Sequence, residues 1–143
     1  MVIAALSLGG VFLSAYLLLF KLGYIPGLAC GTGSCETVNT SKWSVLFGIP
    51  VAAWGAGFYV TMFATATVGS VGPFVDSRRV EQALVGFSGW GVLFSGWLTY
   101  LELVEIHAIC RYCVVSALLV VALFGLSVVE LRAEDRGSEK REA

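Results

Sequence analysis

The chain has 143 residues, of which 57% are hydrophobic and only 13% are charged, whereas charged residues make up roughly 25% of an average soluble domain. A soluble domain of this size cannot hide so much apolar surface, because it still needs a polar exterior. This composition and a net charge of −1 exclude an ordinary soluble enzyme, a disordered chain and a nucleic-acid-binding protein, and they indicate an integral membrane protein.

Four apolar stretches follow one another along the chain, at residues 1–22, 49–68, 80–104 and 112–131. Each is long enough to cross a bilayer, which takes about 20 apolar residues, and each must be helical because lipid cannot hydrogen-bond an open backbone. The first lacks a basic leader and is too long for a signal peptide, so we interpret it as a span. The sequence predicts an all-α fold, an integral membrane four-helix bundle over residues 1–131, with a charged tail at 132–143 that frays into water.

The connections between the predicted spans differ in length and character. Residues 24–48 form the longest one, which is irregular because glycines and Pro26 interrupt any helix, and it carries Cys30 and Cys35. Residues 69–79 form a tight turn. Residues 105–111 barely separate the last two spans, so we predict that these two helices are antiparallel neighbours.

Basic residues predict how the bundle is oriented. The face with the termini and the 69–79 turn holds six of them, and the opposite face holds three. The positive-inside rule puts the more basic face in the cytoplasm. Both cysteine pairs are then extracytoplasmic, where disulfides form and persist. The six are Arg78, Arg79, Arg132, Arg136, Lys140 and Arg141, and the three are Lys21, Lys42 and Arg111.

Cys110 and Cys113 form a C-x-x-C at the start of the fourth span. Their spacing puts both sulfurs on one helical face, and the positive end of the helix dipole, together with Arg111, favours a thiolate. Such a pair can cycle between dithiol and disulfide. Structural bridges or inert thiols are the alternative.

The loop pair, Cys30 and Cys35, lies on the same predicted face as the C-x-x-C, in a Gly-rich segment that can bring a sulfur to Cys110. Two dithiols within reach of each other suggest a relay between an external protein and an electron acceptor, by thiol–disulfide exchange. The alternatives are a four-cysteine metal-binding or metal-transporting protein, and a purely structural protein with two bridges.

Four features occur together in this chain: the loop cysteines, Ser41 six residues after Cys35, a Gly-Ile-Pro at 48–50 that opens the next span, and the C-x-x-C at the last span. In this combination, residues 23–126 resemble the vitamin K epoxide reductase family, and its prokaryotic members in particular. The resemblance implies a prokaryotic plasma-membrane protein whose four helices surround a quinone, whether ubiquinone, menaquinone or a vitamin K-type quinone.

The resemblance also implies a role for each cysteine. Cys30 and Cys35 match the shuttle pair, Cys110 and Cys113 match the catalytic pair beside the quinone, and Ser41 matches a hydroxyl next to the catalytic sulfurs. From the residues alone, Ser41 is more simply a loop serine or a helix cap. No metal is required.

The expected reaction is electron transfer from a reduced thioredoxin-fold protein, through the loop pair and the catalytic pair, to the quinone. Many relatives carry a fused thioredoxin-like domain, whereas this chain stops at Ala143, so we expect a separate partner. Ala117 stands where vertebrate members carry a tyrosine that helps to hold vitamin K, and this favours a plain quinone over an epoxide. Trp54, one turn inside the second span, and Ser116 are candidates for the quinone pocket, along with Cys113.

The remaining polar and aromatic residues are given structural roles. We interpret His107 and Trp43 as interfacial residues, and we expect Glu102 and Glu105 at the outer interface, because a carboxylate deeper in the bilayer is costly. Glycines in the third span are predicted to allow close helix packing, and they are Gly86, Gly89, Gly91 and Gly96.

Overall fold

The structure is a computed structural model that describes residues 2–26, 37–38, 40–75 and 77–142. The predicted shuttle pair, Cys30 and Cys35, lies outside the described residues. Within them are four long helices, α1 (Val2–Lys21), α2 (Val51–Ser70), α3 (Arg78–Leu101) and α4 (Arg111–Glu142). Each is long and apolar enough to cross a membrane, so the predicted fold class, a four-helix membrane bundle, is confirmed.

The helices pack in a ring of neighbours. Helix α1 packs against α2 and α4, and α3 packs against α2 and α4. The core between them contains large, fully buried side chains from three helices, which include Ile3, Tyr59, Met62 and Leu123. A second, smaller cluster lies around Cys110 and Leu17 at the end of the bundle where α4 begins.

The outside of the bundle is apolar. Phe12, Trp90, Leu93 and Leu118 are each at least 66% exposed, and they are only part of a larger exposed set. So large an apolar surface would not be stable in water. It fits a protein whose solvent is the lipid chain region of a bilayer.

The predicted irregular connection contains a small β-hairpin within its described part. Strand β1 (Val45–Leu46) pairs antiparallel with β2 (Ile49–Pro50). The two turn residues, Phe47 and Gly48, both have positive φ values of 54° and 78°, as a tight two-residue hairpin requires. The Gly-Ile-Pro sequence therefore belongs to the hairpin, and α2 begins after it, at Val51.

The connection between α3 and α4 is short, and the two helices are neighbours, as predicted. A π-helical turn, Glu102–Ile106, widens the end of α3, and His107 then adopts a left-handed conformation with φ 54°. The Ala108 N–H donates a 3.1 Å hydrogen bond back to the Glu102 carbonyl. This reversal brings the start of α4 back beside the end of α3.

The last helix is longer than the hydropathy predicted. The expectation that residues 132–143 fray is wrong for 132–142, since α4 continues to Glu142. The charges of these residues predict that they lie outside the lipid. They are helical all the same, because Arg, Ala, Glu and Lys are strong helix formers. Asp135 on this extension pairs with Arg78 of α3 at 3.3 Å, although both side chains are largely exposed and such a pair contributes at most about 1 kcal/mol.

The glycines of α3 do not all have the predicted packing role. A Cβ at Gly91 would come within 2.6 Å of the Phe58 ring of α2, so this glycine does allow a close approach. At Gly89 a Cβ would make only ordinary van der Waals contact. The prediction is wrong for Gly86 and Gly96, which are exposed and would have nothing within 4 Å of an added Cβ.

Candidate redox site at the start of the fourth helix

The C-x-x-C lies at the N-terminus of α4, where Cys110 immediately precedes the first helical residue. The Cys110 carbonyl accepts a 3.0 Å hydrogen bond from the Val114 N–H, and its sulfur accepts a 3.4 Å hydrogen bond from the Cys113 N–H. Cys110 therefore caps the helix with both its backbone and its side chain. A hydrogen bond from the Cys113 thiol lowers the pKa of the Cys110 thiol, so the thiolate of this pair forms on Cys110.

The two sulfurs have different surroundings. Cys110 is fully buried, and the apolar cluster around it includes Leu17 of α1, Val38 and Ala52. The rings of Tyr16 and Tyr112 cover the same region and meet edge to face at 5.4 Å. Cys113 is half-buried and lines the wall of a cavity that Cys110 does not line.

This cavity, of about 660 Å³, opens between α2, α3, the first turns of α4 and the segment around the hairpin. Its volume is that of a small-molecule site, which typically measures about 300–1,000 Å³. Most of the wall is apolar or aromatic, and only a few polar groups interrupt it. The wall includes Ser41, Trp43, Trp54, Tyr59, Trp90, Glu102, Cys113, Ser116 and Ala117.

Ser41 and Trp54, two of the predicted site residues, both reach the cavity wall. The Ser41 hydroxyl donates a 2.8 Å hydrogen bond to the Val38 carbonyl. Ser41 precedes a 3-10 turn but makes no side-chain cap to it. The Trp54 indole N–H donates to the Leu46 carbonyl of β1 at 3.3 Å, which holds the ring against the hairpin. Trp43, interpreted as an interfacial residue, lines the same wall.

Ser116, the remaining predicted pocket residue, is hydrogen-bonded to a residue that the sequence did not single out. Its hydroxyl lies 2.8 Å from the Tyr59 hydroxyl, which also donates to the Ser116 carbonyl at 3.0 Å. Tyr59 is 1% exposed, so this pair of hydroxyls joins α2 to α4 at the cavity wall. Nothing in the spacing of the sequence links positions 59 and 116.

Glu102 is the residue that the sequence analysis misplaced. It was expected at the outer interface with Glu105, but only Glu105 is exposed, whereas Glu102 is 5% exposed. Its carboxylate accepts a 3.4 Å hydrogen bond from the Cys110 N–H and interacts with the Cys113 side chain, which lines the same cavity. An acidic residue within a predicted span was the available signal, because such residues are usually functional.

His107, by contrast, fits its predicted peripheral position. It is exposed, and its Nδ1 lies 3.1 Å from the Leu103 carbonyl. The alternative of a four-cysteine metal site depends on Cys30 and Cys35, which lie outside the described residues. Within 2–26, 37–38, 40–75 and 77–142, no group of three or more His, Cys, Asp or Glu side chains is arranged to hold a metal ion.

The fold and the site together define an integral membrane four-helix protein with a C-x-x-C. Its first cysteine is the buried cap residue of the last helix, and its second borders an apolar cavity. The model of the vitamin K epoxide reductase family matches residues 1–128. The chain belongs to this family, as the combination of sequence motifs predicted.

A curated relative is the thiol-disulfide oxidoreductase LTO1 of Arabidopsis thaliana. The two are 29% identical over 127 residues, which is 85% of this chain and 34% of the relative. The chain therefore spans about a third of the length of that relative.

Proposed function

We propose that this protein is a quinone-dependent thiol–disulfide oxidoreductase of a prokaryotic plasma membrane, with cytoplasmic termini and extracytoplasmic cysteines. A separate reduced thioredoxin-fold protein gives two electrons to Cys30 and Cys35. This loop dithiol reduces Cys110–Cys113, and the catalytic pair passes the electrons to a quinone of the membrane pool. The net result is a new disulfide in an exported protein.

One observation carries the proposal: Cys113 lines the apolar cavity from the first turn of α4, whereas Cys110 lies beneath the segment that follows the loop cysteines. One cysteine of the pair thus borders a ligand site, and the other belongs to the buried cluster against which Val38, three residues after Cys35, packs. A relay needs two cysteines with different surroundings. One of them exchanges with the loop dithiol, and the other lies next to the site of the membrane electron acceptor.

The cavity residues fit a quinone ring. Aromatic walls from Trp43, Trp54 and Trp90 suit a flat, apolar ligand. The hydroxyls of Ser41 and Tyr59 also line the cavity, and either would donate to a quinone oxygen by turning away from its present acceptor, the carbonyl of Val38 or of Ser116. Ala117 lines the cavity without a hydroxyl, which favours a plain quinone over an epoxide. A bound quinone would supply a two-electron acceptor next to Cys113.

In each cycle, the residues of this chain do the following. The thiolate form of Cys110 is stabilised at the helix N-terminus by the Cys113 N–H. The Cys110–Cys113 S–S bond then forms while two electrons and two protons leave the pair. A thiolate of the loop pair attacks Cys110 and restores the dithiol through a mixed disulfide.

The test is anaerobic turnover of a reduced thioredoxin-fold protein with ubiquinone, menaquinone or a vitamin K-type quinone as acceptor. We expect wild-type protein to form quinol and Cys113→Ala to form none, because the sulfur next to the cavity is lost. Val115→Ala is the matched control, since Val115 is exposed in the same part of α4, and it should keep the wild-type rate. Quinol formation by Cys113→Ala at the wild-type rate would refute the assignment.

A further inference from the structure

Glu102 is a buried carboxylate that the relay just described does not use. It is 5% exposed, and a buried charge is costly unless hydrogen bonds compensate for it. Both groups that act on its carboxylate belong to the C-x-x-C: the Cys110 N–H donates a hydrogen bond at 3.4 Å, and the Cys113 side chain interacts with it. Glu102 also lines the cavity together with Cys113, so both side chains border the same ligand space.

We propose that Glu102 is the proton acceptor for the Cys113 thiol when the Cys110–Cys113 dithiol is oxidised. This inference rests on the proposed function and adds a catalytic group to it. A thiol must lose its proton before its electrons can leave, and Glu102 is a carboxylate that lines the same cavity as this thiol, interacts with it and is held beside the pair by the Cys110 N–H. Among the cavity-lining residues that the structure describes, Glu102 is the sole carboxylate.

The Cys113 S–H bond breaks, its proton moves to Glu102, and the S–S bond to Cys110 forms as two electrons pass to a quinone. Glu102 then releases the proton towards the cavity and returns to its starting state. The second proton is the one that Cys110 loses to water on forming its thiolate, and an equivalent proton is taken up from water as the quinol forms.

The π-helical turn is what puts Glu102 in this position. The Glu102 carbonyl accepts from the Ala108 N–H at 3.1 Å while its side chain reaches the Cys110 N–H. π-Helical turns occur frequently at functional sites. A purely structural role would be to anchor this reversal of the chain. Glutamine can do the same, because its side-chain oxygen also accepts the hydrogen bond from the Cys110 N–H.

Within the described part of the chain, few other titratable groups surround Glu102. Cys110 and Cys113 face it from α4, and Tyr59 of α2 lines the same cavity but is paired with Ser116. Tyr16 of α1 packs against Tyr112, beside Cys110. On its own turn, Glu105 is exposed, as is the adjoining His107.

The decisive variant is Glu102→Gln, measured in two ways. The first is the turnover of wild-type and variant protein with a reduced thioredoxin-fold protein and a quinone. Because general acid–base catalysis typically contributes about 10²–10⁴-fold, we expect turnover to fall by about 100-fold or more. Glu105→Gln is the matched control, with the same chemical change on an exposed side chain three residues away, and it should keep the wild-type rate.

The second measurement needs no quinone. In Cys30→Ser/Cys35→Ser protein, the pH profile of alkylation of the Cys110–Cys113 pair is mapped by mass spectrometry, with the reagent entering through the cavity that Cys113 lines. A carboxylate opposes a nearby thiolate, and the Glu102 charge acts in this way on Cys110. Glu102→Gln should therefore shift the profile to lower pH, so that the pair becomes more reactive while turnover falls.

The outcomes separate the possibilities. Wild-type turnover in Glu102→Gln, or an unchanged alkylation profile, would overturn the proposal and leave Glu102 as a structural anchor. Wild-type protein that reduces no quinone would refute the proposed function, and the alkylation profile would still decide whether the Glu102 charge acts on the pair. If the glutamine variant fails to fold, Glu102→Asp decides, because withdrawing the carboxylate should slow turnover about tenfold or more. Wild-type turnover in Glu102→Asp would then overturn the proposal.

Discussion

At the scale of single residues, position in the helix end distinguishes two chemically identical cysteines. Cys110 is the cap residue, so its sulfur faces the N–H groups of the first turn and is enclosed by the cluster around Leu17. Cys113 is one turn further along and its sulfur reaches the cavity. The i,i+3 spacing alone predicts that the two sulfurs share a helical face, but the packing against α1 determines what each one contacts.

The Tyr59–Ser116 pair leads to a prediction about stability. Tyr59→Phe keeps the buried ring but removes the hydroxyl that bonds to both the side chain and the carbonyl of Ser116. We expect a loss of about 1 kcal/mol in the free energy of unfolding, measured as a lower thermal midpoint in detergent. Tyr24→Phe is the control, since Tyr24 is 76% exposed, and equal midpoints for the two variants would contradict the prediction.

At the scale of elements, the closest helix contact in the core is between α1 and α2. An added Cβ at Gly10 would overlap the ring of Tyr59, whose displacement is costly because it is 1% exposed and hydrogen-bonded to Ser116. Its neighbour in sequence, Gly9, would have nothing within 4 Å of an added Cβ. A methyl group at position 10 would therefore clash with the neighbouring helix, whereas one at position 9 would not.

This difference makes Gly10→Ala and Gly9→Ala a matched pair of variants. We expect Gly10→Ala to destabilise the protein by about 1–3 kcal/mol, as overpacking of a core typically does, and Gly9→Ala to be neutral or slightly stabilising. Chemical or thermal unfolding in detergent measures both. Because the clash displaces Tyr59 at the cavity wall, Gly10→Ala should also slow turnover with a quinone. A Gly10→Ala protein as stable as Gly9→Ala would show that the two helices can separate without cost.

At the scale of the whole molecule, charge is distributed unevenly between the two ends of the bundle. The end with Arg78 and the 132–142 extension of α4 carries most basic residues, and the C-x-x-C end carries Lys21, Lys42 and Arg111. At the latter end, Lys21 of α1 donates a 2.6 Å hydrogen bond to the Ser44 hydroxyl. This ties the first helix to the segment that precedes the hairpin.

The charge distribution predicts the orientation, with the C-x-x-C end outside the cytoplasm. After mild reduction of intact cells, a membrane-impermeant thiol reagent should label Cys30 or Cys35. A control protein with its four native cysteines replaced by serine and with Ser138→Cys, at an exposed site near the other end, should be labelled only after the membrane is broken. The reverse pattern would invert the orientation and remove the proposed role in disulfide formation of exported proteins.

The amino-acid sequence by itself determined the features that depend on local physics. Four apolar runs of about 20 residues fix four spanning helices, because a backbone in lipid must satisfy its own hydrogen bonds. The C-x-x-C at the beginning of the last run fixes a thiol pair at a helix N-terminus. The family could also be predicted from the sequence alone, since its motifs occur one after another along the chain.

Only the tertiary structure decided what depends on contacts between distant segments. Hydropathy placed Glu102 at the interface, but the π-helical turn and the left-handed His107 fold it back onto the C-x-x-C. Composition suggested equal roles for all the glycines of α3, although only those facing another helix contact it closely. Tyr59 looked like any aromatic residue in a span until the packing of α2 on α4 paired it with Ser116. The physical reason is common to all three: burial is a property of the assembled bundle, and sequence periodicity does not say which neighbour a side chain meets.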